Sequence, residues 1–154
     1  MAYNVRLSLN HKTRKFLRQA TEDWKQECLR KANYTCFVTG KTRKKGNKII
    51  LTAHHCGDHT FNSIVKAAHK NLHIQYRELI NQYQPGELNA VLEEVKRLHK
   101  EGVEGICLEK EVHDKIHKLY GKNVTMDQIR EFRRNYRRSN HNSRNGVYKS
   151  KRSA

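Results

Sequence analysis

The stretch ILTAHHCGDH, residues 50–59, sets two adjacent histidines, His54 and His55, at the end of the apolar run Ile49–Ile50–Leu51. The run reads as a buried β-strand. Consecutive side chains of a strand leave on opposite faces. His54 and His55 therefore meet different surroundings. Either one packs while the other is solvated, or the two have different chemical tasks.

Just upstream, Tyr34–Thr39 is β-prone, and Gly40–Asn47 is a basic loop. Lys48–His55 is β-prone again, so the pattern predicts a β-hairpin. Arg43, Lys44 and Lys45 near its tip read equally as phosphate contacts or as a solvated turn. Further upstream, Phe16, Leu17, Ala20, Trp24, Cys28 and Ala32 recur at helical spacing, which predicts one or two helices from about Lys12 to Lys31. Val5, Leu7 and Leu9 alternate with polar residues, as in a short strand.

Downstream, residues 61–101 read as helical. One stripe is Leu72, Tyr76, Leu79, Ile80 and Tyr83; Pro85–Gly86 interrupts; Leu88, Val91, Leu92, Val95 and Leu98 form the next. These stripes read as packing surfaces, and His69, His73 and His99 among them as packing or surface residues. Asn62 is a candidate cap for the first helix. Ile106–Cys107–Leu108 is a short apolar link, and Glu109–Tyr120 a helix stopped by Gly121. Thr125–Met126–Asp127–Gln128 is a capping box opening a last helix. That helix carries Ile129, Phe132 and Tyr136 beside Arg130, Arg133, Arg134, Arg137 and Arg138. From Ser139 the chain is rich in Asn, Ser, Arg and Lys, and a disordered basic tail is expected.

The formal charge of +17 over 154 residues calls for a polyanionic partner. Nucleic acid comes first and an anionic membrane surface second. Over 130–154, nine Lys and Arg stand against one Glu. No apolar run spans a bilayer, and the N-terminus has no apolar leader segment, so a cytoplasmic protein without a membrane partner is expected. Cys28, Cys36, Cys56 and Cys107 are then expected as thiols.

The helix contains VHDKIHKLYG, residues 112–121. His113 and His117 lie one turn apart on one face, the spacing that lets two imidazoles reach one metal ion. Bringing the His–His strand end beside that helix face would add a third ligand. The other strand histidine would then be left for the substrate.

Three segments together, YTCFVTGK (34–41), IILTAHHC (49–56) and GICLEKEVHDKIHKLYG (105–121), resemble the HNH (His-Me finger, ββα-metal) endonucleases, most closely the small phage and intron-associated, homing-type members. The resemblance covers about residues 34–132. It implies an α+β fold, mostly helical, with a ββα-metal finger made of a β-hairpin and a helix. The finger would occupy 34–121 with a helical insert at 61–101, between an N-terminal segment at 1–33, a basic helix at 122–138 and the tail at 139–154. It implies one divalent metal on His54, His113 and His117, and His55 as the general base that activates water for hydrolysis of a DNA phosphodiester. Three imidazoles favour zinc or nickel by ligand type, whereas related nucleases often work with magnesium or manganese. Arg43, Lys44, Lys45 and the five arginines of the last helix would grip DNA, in a monomer or a homodimer. A phage-encoded protein would act inside the host cell.

Many HNH proteins also carry two C-x-x-C knuckles around a structural zinc. Here Thr39 and Lys110 stand three residues after Cys36 and Cys107, so a four-cysteine zinc is not expected, and both cysteines read as small packing residues. Asp58 and His59 are candidate partners orienting an imidazole, or parts of a polar turn. Two other functions fit the same residues: a nucleic-acid binder that keeps the finger as a scaffold, and a homodimeric restriction-type nuclease.

Overall fold

In the computed structural model, which describes residues 10–56 and 59–151, β1 (Leu51–His55) pairs antiparallel with β2 (Gly105–Glu109). The register sets Leu51 opposite Glu109, His54 opposite Ile106 and His55 opposite Gly105. Everything between the strands is an excursion that returns. It contains α3 (Phe61–Asn71) and α4 (Glu87–Gly102). Before β1 come α1 (His11–Arg18), a 3-10 turn (Gln19–Thr21) and α2 (Glu22–Lys31). After β2 the chain enters α5 (Lys110–Tyr120) at once and then α6 (Met126–Lys151). The chain is α+β and mostly helical.

The expected hairpin is corrected. Tyr34–Thr39 does not pair with the strand that ends in His54 and His55. Asn33 and Tyr34 take left-handed backbone angles (φ 51° and 53°), which interrupts an extended run. Cys36 N–H then donates to the Lys41 carbonyl, closing a tight turn with one isolated bridge, Thr35 to Thr42. The true partner of β1 is the segment 105–109, whose centre reads in the sequence as a mere apolar link. A short apolar run carries little periodicity, so its identity as a strand depended on what the insert brought back.

Three further expectations change. Residues 72–86 are not helical apart from a 3-10 turn at Ile80–Gln82. His73 turns the chain at φ 54°, and Tyr83 is pinned back, its hydroxyl 2.8 Å from His69 Nε2 and accepting from Arg77 N–H. That tertiary anchor overrides the helical stripe. Residues 139–151, expected to be unstructured, continue α6 to Lys151. The cap of α3 is Thr60, in a reciprocal box with Ser63, while Asn62 instead accepts from Arg14. The box at Thr125 and Gln128 forms as expected. The strand expected at Val5–Leu9 and the role expected for Asp58 lie outside the described residues.

Two buried clusters hold these elements. One joins Leu29, Cys36, Val38, Leu51, Cys107, Leu108, Val112, Ile116, Val124 and Ile129, beneath the sheet and α5. The cysteines Cys36 and Cys107 are packing residues here. The other joins Leu17, Ala20 and the apolar faces of α3 and α4. Trp24 anchors the chain as it returns to β2, its indole N–H donating to the Val103 carbonyl at 2.9 Å.

Gly105 makes room for that indole. A Cβ there would lie 2.6 Å from both Trp24 Cζ2 and Cys28 Sγ. The indole is held at its own N–H and cannot step aside cheaply. Gly105→Ala is therefore expected to cost about 1–3 kcal/mol, read as a lowered urea midpoint without a changed slope.

Candidate metal and general-base site

The strand alternation is realised at the end of β1. His54 turns inward, 6 % exposed, toward α5. Its ring centroid lies 5.3 Å from that of His113 and 5.1 Å from that of His117. His55 turns the other way, stacks on Trp24 at 4.3 Å and meets His99 of α4.

On α5, His113 and His117 stand one turn apart with their Nε2 atoms 3.2 Å from each other. Gly121 ends this helix at φ 87°, a conformation glycine adopts without strain. Its N–H caps the His117 carbonyl, and its own carbonyl lies 2.8 Å from His117 Nδ1. A carbonyl only accepts, so His117 Nδ1 carries the proton and Nε2 is left as a bare lone pair. In His54 the Val124 backbone favours the protonated ring, less strongly than burial disfavours it, while Nε2 is buried with no partner. Backbone acceptors that fix the tautomer behind a ligand histidine are the usual support of a metal site.

The ligand atoms of His54, His113 and His117 all lie within 4.8 Å of one another. Metal–nitrogen bonds of ~2.0–2.1 Å about a tetrahedral ion give a nitrogen–nitrogen edge of roughly 3.3 Å. The 3.2 Å pair already has that edge. A buried, partnerless imidazole nitrogen beside two others is costly unless something binds it. The cluster can hold a metal ion.

Burial disfavours the charged forms of four histidines here, His54, His55, His99 and His113. It lowers His54 from 6.5 to about 4, with His113 and His117 adding like-charge repulsion. It lowers His55 to about 3, with His99 and Arg18 contributing next. His113 and His99 are lowered by burial too.

His99 was not singled out by its place in a helical stripe, yet it is 1 % exposed and sets the state of His55. His99 Nδ1 lies 2.7 Å from the Val95 carbonyl and must donate to it. His99 Nε2 is then an acceptor, 3.0 Å from His55 Nε2. His55 therefore donates from Nε2 and keeps its lone pair on Nδ1. Arg18, stacked over Phe61 at 4.2 Å, is a further cation near His55 that the sequence did not mark.

The expected nucleic-acid contacts fall in two places. Lys44 and Lys45 are exposed in the turn before β1, while exposed Arg43 stacks over Tyr34 at 4.8 Å. Arg130, Arg133, Arg134 and Arg137 line a cavity floored by Phe37; Arg138 is exposed outside it. His59 is exposed. Comparison with protein-family models, with curated proteins and with solved structures finds no match.

Two outcomes are expected. Titrating the metal-free protein with Co²⁺ should give a visible spectrum of a low-coordinate site, with His54→Ala or His117→Ala weakening binding by at least about 10–100-fold. Stability of the metal-free protein should depend on pH through His54 and His55. The unfolded chain takes up protons near pH 6.5, whereas the folded rings resist until about 4 and about 3. The unfolded state thus binds more protons in that window, and stability is lost as pH falls below about 6.5. Urea midpoints measured from pH 7.5 down to 4.5 should decline accordingly.

Proposed function

We propose that this protein is a metal-dependent DNA endonuclease of the His-Me finger type. One observation carries the reading. The adjacent histidines of β1 divide between a three-nitrogen donor set on one face and a lone imidazole on the other, whose free Nδ1 is set by His99. The order of elements supports it. β1, β2 and α5 follow as strand, strand and helix, with the helical insert lying between the strands. In this reading those three elements are the finger, and 34–47 is an adjoining basic turn.

His55 Nδ1 takes a proton from water, and the oxygen attacks phosphorus in line with the departing 3′ oxygen. The proton stays on Nδ1. The imidazolium so formed still donates from Nε2 to His99, which is held against Val95 and stabilises it without moving. A base lowered to about 3 is weak in the free protein. A phosphodiester anion beside it favours the protonated ring and raises its basicity when substrate is present. His54, His113 and His117 would hold a divalent ion, which would supply charge neutralisation at the phosphate and the leaving oxygen. Three imidazoles favour zinc, nickel or a similar ion over magnesium by ligand type. The departing 3′ oxygen takes a proton from solvent water, so the products are a 5′-phosphate and a 3′-hydroxyl. The basic charge of the chain brings DNA to this site.

Supercoiled plasmid incubated with EDTA, Mg²⁺, Mn²⁺, Ni²⁺ or Zn²⁺ tests the reading. The wild type should convert it to nicked or linear DNA only with metal. His55→Ala should bind equally and lose roughly 10²–10⁴ in rate. A plasmid that shifts in a gel yet stays intact with every metal would leave the protein as a non-catalytic binder.

A further inference from the structure

We propose that the cavity between Phe37 and the N-terminal half of α6 is a seat for one phosphate group of the DNA backbone. The phosphate chemistry comes from the cavity itself; the choice of DNA rests on the nuclease reading.

The cavity has a volume of about 230 Å³ and is lined by Phe37, Arg130, Arg133, Arg134 and Arg137. The arginines follow at i, i+3, i+4 and i+7, so one helical face gathers four positive charges. Like charges at these spacings repel and cost the helix stability. Among the described residues, only Arg130 of the four has an acidic partner within salt-bridge distance, the exposed Asp127 at 3.1 Å. No carboxylate lines the cavity. Its positive charge is left for something from outside.

Arg133 gives the strongest indication. Its guanidinium lies 4.3 Å over the Phe37 ring, and its Nε–H is sealed from water without an acceptor. A buried charged donor without a partner is costly. A planar guanidinium held against a ring presents its fork in a fixed plane, the geometry that phosphate oxygens accept. Phe37 is itself fixed, its N–H donating to the Cys107 carbonyl of β2 at 2.9 Å. The seat is thus tied to the same sheet that carries His54 and His55.

A backbone phosphate fits better than a nucleotide. The lining offers guanidinium donors and one aromatic face already covered by Arg133, so no group is placed to read a base edge. Contacts of this kind position a duplex without selecting its sequence.

The test uses the full chain labelled with ¹⁵N-arginine, with EDTA present so that no cleavage intervenes. The Arg133 Nε–Hε resonance is followed during titration with a short DNA duplex and, separately, with inorganic phosphate. The duplex should shift that resonance. Arg133→Gln and the rim variant Arg137→Gln should each lower the salt slope of duplex binding by about 1, and Arg138→Gln by less. Arg137 is exposed, so its loss leaves the packing on Phe37 intact. An unmoved resonance on bound duplex would overturn the seat. So would equal losses from all three variants, or a shift with inorganic phosphate alone. The nuclease reading is judged separately, by metal-dependent cutting of plasmid by the wild type and its loss in His55→Ala.

Discussion

The pairing of β1 with β2 is the constraint on which the candidate site depends. Five residues on each strand fix where His54 and His55 stand, and they do so across an excursion of about fifty residues. The register puts His55 opposite Gly105, the residue with no side chain. The vacant space beside Gly105 is filled by Trp24, and Trp24 stacks on His55. On the other face, α5 leaves β2 directly, so the same strand that aligns His54 also aims His113 and His117. A shift of one residue in this pairing would exchange the two faces and set His55 among the ligands.

Burial then sets the chemistry. In a chain with formal charge +17, His54 and His55 are held below the ordinary histidine range because desolvation disfavours their charged forms. Neutrality serves both faces. A metal needs bare nitrogen lone pairs, and a base needs one free position. Backbone carbonyls decide which nitrogen is free. Gly121 does this for His117, and Val95 does it for His55 at one remove, through His99. None of these acceptors is a side chain, so none is visible as a residue type.

The helical insert is more than a spacer between strands. Its apolar faces build a second core with α1, and α4 delivers His99 to the back of His55. Cys36 and Cys107 each lack a second cysteine three residues on, where Thr39 and Lys110 stand. Cys36 and Cys107 instead pack in the first core, where Cys36 Sγ accepts from the Glu109 N–H at 3.3 Å and Thr39 donates to the Glu109 carboxylate at 2.6 Å. Apolar packing, these two hydrogen bonds and the one from Phe37 N–H to the Cys107 carbonyl tie the 34–47 turn to β2.

The sequence by itself determined the local features whose causes are local. Helical spacing located α1, α2, α4 and α5, the box at Thr125 located the start of α6, and the i, i+4 pair His113 and His117 was legible because one helical turn suffices to bring them together. Strand alternation foretold that His54 and His55 would part. Tertiary structure alone decided which strand pairs with β1, because the β-prone segments at 34–39 and 105–109 compete and only the path of the insert chooses between them. It alone unwound the stripe at 72–83, where a hydroxyl pinned to His69 outweighs periodicity. It alone gave His99 its place, since an imidazole in a helical stripe looks the same whether it packs or positions another ring. The difference lies in what stands across from it, and that is a property of the fold.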